Sequence, residues 1–394
     1  MAHIYNTGFR MGGQDAGERY ATVENMIDAY PYLLPADKTP GLFTWGYNGY
    51  GQLGVGTGGT NKSSPVQVGS LTNWKQVATG YAHTAAIKTD GTLWTWGSHA
   101  YGQLGIGAEA SIKSSPVQVG SLTDWQQISL GSKHTYAIKN DGTLWSCGYN
   151  AFGQLGLGDT ANRSSPVQVG IAADWSSISA GVDHIAAIKS NGTLWTWGNN
   201  NAGQLGLGNT TNRSSPVQVG TLTNWKQVAC GNLHSAAVKN DGTLWVFGFN
   251  NFSQLGTSNT TNYSSPVQVG VLTNWKQVAT GYGHTAAVKT DGTLWTFGAN
   301  TIGELGIGNQ IVKNSPVQVG SLTNWKHVSA GTHLTIAIKT DGTLWACGYN
   351  AYGQLGLGNL TNRFSPVQVG TLTTWKQLSG KFIHVAAIKE QNNF

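Results

Sequence analysis

The sequence predicts an all-β protein: a seven-bladed β-propeller of four-stranded blades, its ring closed by pairing the N-terminal strand with the C-terminal blade, plus a short N-terminal arm. Three observations predict it. A tryptophan recurs at Trp74, Trp125, Trp175, Trp225, Trp275, Trp325 and Trp375, spaced 51 residues once and 50 thereafter; a fixed period of that length marks a repeat architecture. Each period reads as four short strands, which points to a propeller blade and not a helical solenoid. The two ends are complementary: the last copy stops at His384–Lys389 without its third strand, and the first begins at Gly41 with LFTWG but without its first two. Joining them completes a seventh blade and removes the open ends of a linear array.

Taken in order, residues 1–38 match nothing in the repeats and carry Asp15, Glu18, Glu24, Asp28 and Asp37. Tyr20 to Tyr30 can form a short helix with Val23, Met26 and Ile27 on one side, stopped by Pro31, Pro35 and Pro40. Two readings stand for this arm: a capping tail, or a docking segment through Tyr20, Val23, Met26 and Ile27. Residues 39–394 form the ring.

Within a repeat, QVATG is the first strand and HTAAIK the second. Asp90-Gly91 and its equivalents, one of them Asn191-Gly192, are expected to form two-residue type I′ hairpin turns, whose central residues both need positive φ; these aspartates are therefore structural. TLWTWG is the third strand, uncharged and buried on both faces. PVQVG is the fourth, with proline at its start on an outer edge, where a missing N–H costs no ladder bond.

Composition narrows function. Only 10% of the 394 residues are charged, against roughly 25% in ordinary soluble proteins. The formal charge of +6 is spread thinly, without a basic run, so nucleic acid is not an expected partner. Cys147, Cys230 and Cys347 are read as small apolar core residues. No apolar run reaches the length of a membrane span, and no secretory leader is recognisable at the start.

The consensus GxxHTAAIKxDGxLWxWGxNxxGQLGLG, carried in one copy by Gly80, His83, Gly91, Leu93, Trp96, Gly97, Gly102, Gln103, Leu104 and Gly105, resembles the regulator of chromosome condensation repeat family, bacterial or phage type, over residues 41–394. The resemblance implies a seven-bladed protein-binding platform. That family includes a nuclear exchange factor for a small GTPase, secreted bacterial inhibitors of β-lactamase, and phage proteins. The exchange factor's inserted hairpin and basic tail have no counterpart here, which argues against exchange activity. The repeat motif is scaffold, so it transfers no functional residue.

The residues themselves supply no nucleophile–base set, no isolated carboxylate pair and no phosphate cradle, since GQLGLG leads into a polar loop and not a helix. The protein is read as a non-enzyme without cofactor or metal. The histidines at His83, His134, His184, His234, His284 and His384 are expected to make a repeated structural hydrogen bond; equivalent positions on neighbouring blades are too far apart to share an ion. The lysines ending each second strand, Lys88 to Lys389, are expected to form a solvated ring, or to meet an anionic partner.

Two loops vary while the rest is copied: the pair between the first and second strands, and the four residues after the third. Both belong to the end of the blade opposite the Asp-Gly turns, and loops on a rigid scaffold are where recognition is built. Tyr47, Tyr50, Tyr81, Tyr101, Tyr149, Phe152, Tyr349, Tyr352 and Phe382 are the candidate partner-binding residues. Aromatics beside Asn and Gln suit a protein or glycan partner. The expected function is a structural, protein-binding virion component, anchored by its arm with the variable face outward and bound to other virion or cell-surface proteins. The alternative is a soluble or secreted propeller, extracellular or in a bacterial cytoplasm, that inhibits or regulates another protein.

Overall fold

The computed structural model describes residues 41–108 and 111–390, so the arm, with Tyr20, Val23, Met26 and Ile27, lies outside the described residues. Seven four-stranded antiparallel sheets stand around one axis. The first complete blade contains β3 (Trp74–Thr79), β4 (His83–Lys88), β5 (Leu93–Gly97) and β6 (Lys113–Gln118). Strands β7 to β26, from Trp125–Leu130 to Arg363–Gln368, repeat this quartet in five further blades. The seventh blade is composite: β27 (Trp375–Ser379) and β28 (His384–Lys389) from the C-terminal end pair with β1 (Gly41–Gly46) and β2 (Lys62–Gln67) from the other. Gly41 lies opposite Lys389 and Gly46 opposite His384 in an unbroken register. The closure expected from the complementary ends is thus the one observed.

Two local expectations are corrected. The turn between the second and third strands is not type I′. Among the described residues, positive φ outside glycine occurs only at Ser253 and Ser258, so Asp90 is not left-handed, whereas Gly91 has φ 78°. Gly91 N–H donates to Lys88 C=O at 3.0 Å and Lys88 N–H to Thr92 C=O at 3.0 Å, a three-residue loop of a type I turn followed by a left-handed glycine. Asp is there for its oxygen: Oδ1 accepts from Thr92 N–H at 2.9 Å and Thr92 Oγ1–H at 2.6 Å. Asn191 Oδ1 does the same for Thr193, which is why the two residues interchange.

The second correction concerns proline. The fourth strand begins three residues before it, at Lys62, and Pro65 lies where the β1–β2 ladder is irregular between Thr44 and Gly46. Its missing N–H falls at a bulge on the outermost strand.

Between sheets, each first-strand tryptophan packs into a cluster with the neighbouring blade. Trp275, for example, joins Val238, Leu244, Val246 and Phe297. Cys147, Cys230 and Cys347 are free and buried, as expected of core residues.

Candidate interaction face

The recurring histidines face the next blade. Thr135 Oγ1 donates to Gln103 C=O at 2.7 Å, so it accepts from His83 Nε2–H at 3.0 Å. The same relay links His184 to Ser235, His234 to Thr285, His284 to Thr335 and, across the seam, His384 to Thr84. Burial pushes His83, His184, His234 and His384 down to about 3 and His284 to about 4, so all are neutral at pH 7. Among the described residues no three His, Cys, Asp or Glu side chains converge as a metal site requires.

The exceptions show the logic. The sixth blade has Leu334 for the histidine, and the seventh has Val385 for the hydroxyl; both pack in one apolar cluster. Ile185 also removes a hydroxyl. There Tyr136, in place of the usual alanine, donates its O–H to Gln154 C=O and accepts from Trp197 Nε1–H at 2.7 Å. His134, which faces Ile185, is left with both ring nitrogens buried and unpartnered.

The GQLG turn frames the variable loops. Asn150 Oδ1 accepts from Leu155 N–H at 2.8 Å, its Nδ2–H donates to Ala161 C=O at 3.0 Å, and Gln154 Oε1 accepts from Phe152 N–H at 2.9 Å. In the first blade His99 stands in for this asparagine, its Nδ1 accepting from Leu104 N–H at 3.1 Å and its Nε2–H donating to Gly107 C=O at 2.9 Å. Each loop tip is therefore held to its own blade by a side chain, and most are tied to the next blade by the backbone carbonyl of the GQLG glutamine, or of Glu304 in the fifth blade.

On that frame the candidate aromatics form two arcs. Tyr349 and Tyr352 lie 6.0 Å apart, Tyr352 and Tyr47 5.1 Å, and Tyr47 and Tyr50 6.2 Å, between ring centroids. In the other arc, Tyr101 is 5.1 Å from Tyr149, which is 6.4 Å from Phe152. Lys133 lies over both Tyr101 and Tyr149. Tyr50 and Tyr81 are exposed, at 40% and 43%, while Phe382 is buried beneath Tyr81, 5.7 Å away. Most of the other rings are only partly exposed, because they pack on one another as well as facing solvent. Exposed Phe252 and Tyr282 belong to the same face but are not among the candidates, which come from adjacent blades; their positions in the two variable loops, Tyr282 at the place of Tyr81, are the signal that finds them.

The lysine ring is not solvated. Lys239 is 5% exposed, with its ammonium 3.7 Å from the Trp245 ring centroid and 4.8 Å from Trp225. Lys88, Lys139, Lys189, Lys289 and Lys339 are held between equivalent tryptophan pairs. These are cation–π clamps; Lys139 and Lys189 also pair with Asp124 at 3.4 Å and Asp174 at 3.0 Å. The sequence placed the charge correctly but could not show that the two tryptophans close over it.

Comparison with known proteins agrees with this geometry. Residues 171–394 match the RCC1-like domain, and residues 41–87, 90–138 and 141–188 match the regulator of chromosome condensation (RCC1) repeat. The chain belongs to the RCC1-like propeller family. It is similar to human probable E3 ubiquitin-protein ligase HERC6, 37% identical over 138 residues, which are 34% of this chain and 14% of that protein. It is also similar to the ultraviolet-B receptor UVR8 of Arabidopsis thaliana, 38% identical over 125 residues, 31% of this chain and 28% of that one. The matched stretch thus spans little more than a quarter of these relatives at most. Among solved structures, human WBSCR16 superposes with a TM-score of 0.80 at 22% identity, covering 90% of this chain and all of that one. Prp20p of Saccharomyces cerevisiae, described with its binding to Gsp1p and histones, gives 0.80 at 19%, covering 93% of this chain and 95% of that one. Both share the fold. RCC1-like propellers are protein-binding scaffolds, and no helix among the described residues is long and apolar enough to cross a membrane.

Proposed function

We propose that the protein is a non-enzymatic docking platform whose variable-loop face binds a folded protein partner. One observation carries this: the scaffold is copied from blade to blade down to individual hydrogen bonds, whereas the loop tips it holds rigid differ and present partly exposed aromatic arcs. Rigid aromatic anchors with flanking amides are what interface centres use, because they bury large area at little cost in side-chain entropy. Among the described residues no three His, Cys, Asp or Glu side chains converge as a metal site requires, and the His–hydroxyl pairs are buried between blades, away from that face's solvent-facing rings.

The test is capture of the partner from native lysate by the full chain, beside a Tyr50→Ser/Tyr81→Ser variant and a Lys226→Ser/Lys276→Ser variant on the opposite face. Loss of capture in the tyrosine variant alone supports the reading; loss in the lysine variant alone refutes it.

The setting we propose is a virion, with residues 1–38 as the anchor and the tyrosine arcs turned outward. What supports it is composition, a charge-poor surface rich in Thr, Asn and Gly. Co-sedimentation of the full chain with purified particles, lost on removing residues 1–38, is the expected result; capture of one soluble target by both forms would favour the inhibitor or regulator instead.

A further inference from the structure

The seven blades serve as one another's controls, and one departure near the centre of the variable face puts a charge where the repeat has none: the seventh blade carries its glycine one residue early, at Gly380, whose carbonyl takes the usual place against Gly331. Six blades have glycine where the first strand turns back, at Gly80, Gly131, Gly181, Gly231, Gly281 and Gly331; the seventh has Lys381. The glycine is needed because a Cβ there would lie 2.3 Å from the His83 ring in the first blade and 2.4 Å from Gly331 C=O in the fifth. The seventh blade avoids that clash by leaving the pattern. Its first strand ends one residue early, at Ser379, and Lys381 N–H turns to Thr79 Oγ1 at 3.1 Å.

The Lys381 side chain passes over the first blade into the second, where Nζ donates to Leu130 C=O at 3.2 Å. Its charge acts on His134, His184 and Cys230, none of which is an anion at pH 7: burial holds both imidazoles neutral and the thiol up at about 11. Among the described residues, no carboxylate pairs with it. Lys381 also lines a void of about 10 Å³ with Val182, Gly231, Asn232, Tyr282 and Phe382, roughly the room of one water. So a partly buried ammonium, bonded to one carbonyl, stands near the axis beside aromatic groups. A partly buried charge without a counter-charge carries a desolvation cost, which pushes its pKa down to about 8.

We propose that Lys381 is an anchor for a carboxylate on the docking partner: an Asp or Glu side chain inserted at the mouth of the axis, ringed by Tyr81, Tyr282 and Phe382. The proposal rests on the variable face being the docking face. The void itself holds no more than one water, so the carboxylate meets the ammonium from the solvent side, where Lys381 is partly exposed. A single desolvated ion pair inside an aromatic rim is the arrangement of an interface hot spot.

The test uses the full chain labelled with ¹⁵N at lysine Nζ and the peptide acetyl-Gly-Glu-Gly-amide, with its glutamine counterpart as control. The Lys381 signal is assigned from Lys381→Gly, which restores the residue of the other six blades and is expected to fold. The glutamate peptide should move the Lys381 signal and raise its titration midpoint by about one unit, a tenfold gain in proton affinity. The glutamine peptide should do neither, and Lys381→Gly should keep its melting temperature.

A silent Lys381 at saturating peptide overturns the proposal. So does an equal response to inorganic sulfate, which makes the site a general anion trap, or a large loss of melting temperature in Lys381→Gly, which makes Lys381 a structural strut. The native partner is not needed, so a silent Lys381 beside intact Tyr81-dependent capture removes the anchor alone and leaves the docking face standing.

Discussion

The histidine–hydroxyl pair at the ring seam gives a quantitative test of how neighbouring blades are joined. Thr84 Oγ1 donates to Gln52 C=O at 2.8 Å and accepts from His384 Nε2–H at 2.8 Å, all fully buried. Gln52 C=O has a second donor, Trp96 Nε1–H at 2.9 Å. Thr84→Val keeps the shape, leaves that carbonyl satisfied and orphans only the imidazole N–H, which should cost about 1–3 kcal/mol. His384→Leu leaves Thr84 bonded to Gln52 and costs about 1 kcal/mol in imperfect packing. The double variant recreates the Leu334/Val385 interface of the sixth and seventh blades, where Trp45 Nε1–H donates to Gln354 C=O at 3.0 Å. It should lie within about 1 kcal/mol of the natural chain, a coupling of about 1–3 kcal/mol between the sites. Urea unfolding at pH 7, followed by tryptophan fluorescence, measures all four corners. Strictly additive single losses would refute the reasoning, because they would mean that the two side chains do not depend on each other.

Four further outcomes follow from the same contacts. The buried histidines have folded pKa values depressed to about 3–4 against about 6.5 unfolded, so their contribution is complete above pH 6.5 and is lost as pH falls towards 3. Each should remove about 1.4 kcal/mol per pH unit in that window, and acid melts should be steep and shift upward in pH when one pair is broken. Asp241→Asn should be neutral within about 0.5 kcal/mol, as Asn191 shows, whereas Asp241→Ala should cost about 1 kcal/mol by orphaning Thr243 N–H. Lys239→Met should cost about 1 kcal/mol through the lost cation–π contacts with Trp225 and Trp245, read in thermal melts. Gly281→Ala places a Cβ 2.4 Å from Gly331 C=O and 2.5 Å from His284, and should destabilise more than any of these.

Most of the architecture was legible because the repeat states it seven times. Period, strand number and the composite closing blade all follow from where Trp74 to Trp375 fall and from what the first and last copies lack. The errors share a cause: a pattern gives residue type but not which atom is used. Asp-Gly fits type I′ and the observed three-residue turn equally well, and only Asp90 Oδ1 on Thr92 separates them. Lys88 looked solvated because its two tryptophan neighbours are distant in sequence or hidden in alternation. The candidate face was legible as variation against a constant background, but how far each ring is exposed was not, since Tyr352 meets Tyr47 only when the ring closes. Lys381 was visible as the one departure from six glycines, yet its destination at Leu130 crosses a whole blade.

The central claim is that the variable-loop face is the docking face, and site-specific photo-crosslinking tests it most directly. Benzoylphenylalanine at Tyr50, Tyr81 or Tyr282 in the full chain should trap the same discrete protein partner, while the same probe at Lys226 or Lys276 on the opposite face should trap none. A partner trapped only from Lys226 and Lys276, with the tyrosine positions silent, would contradict the account.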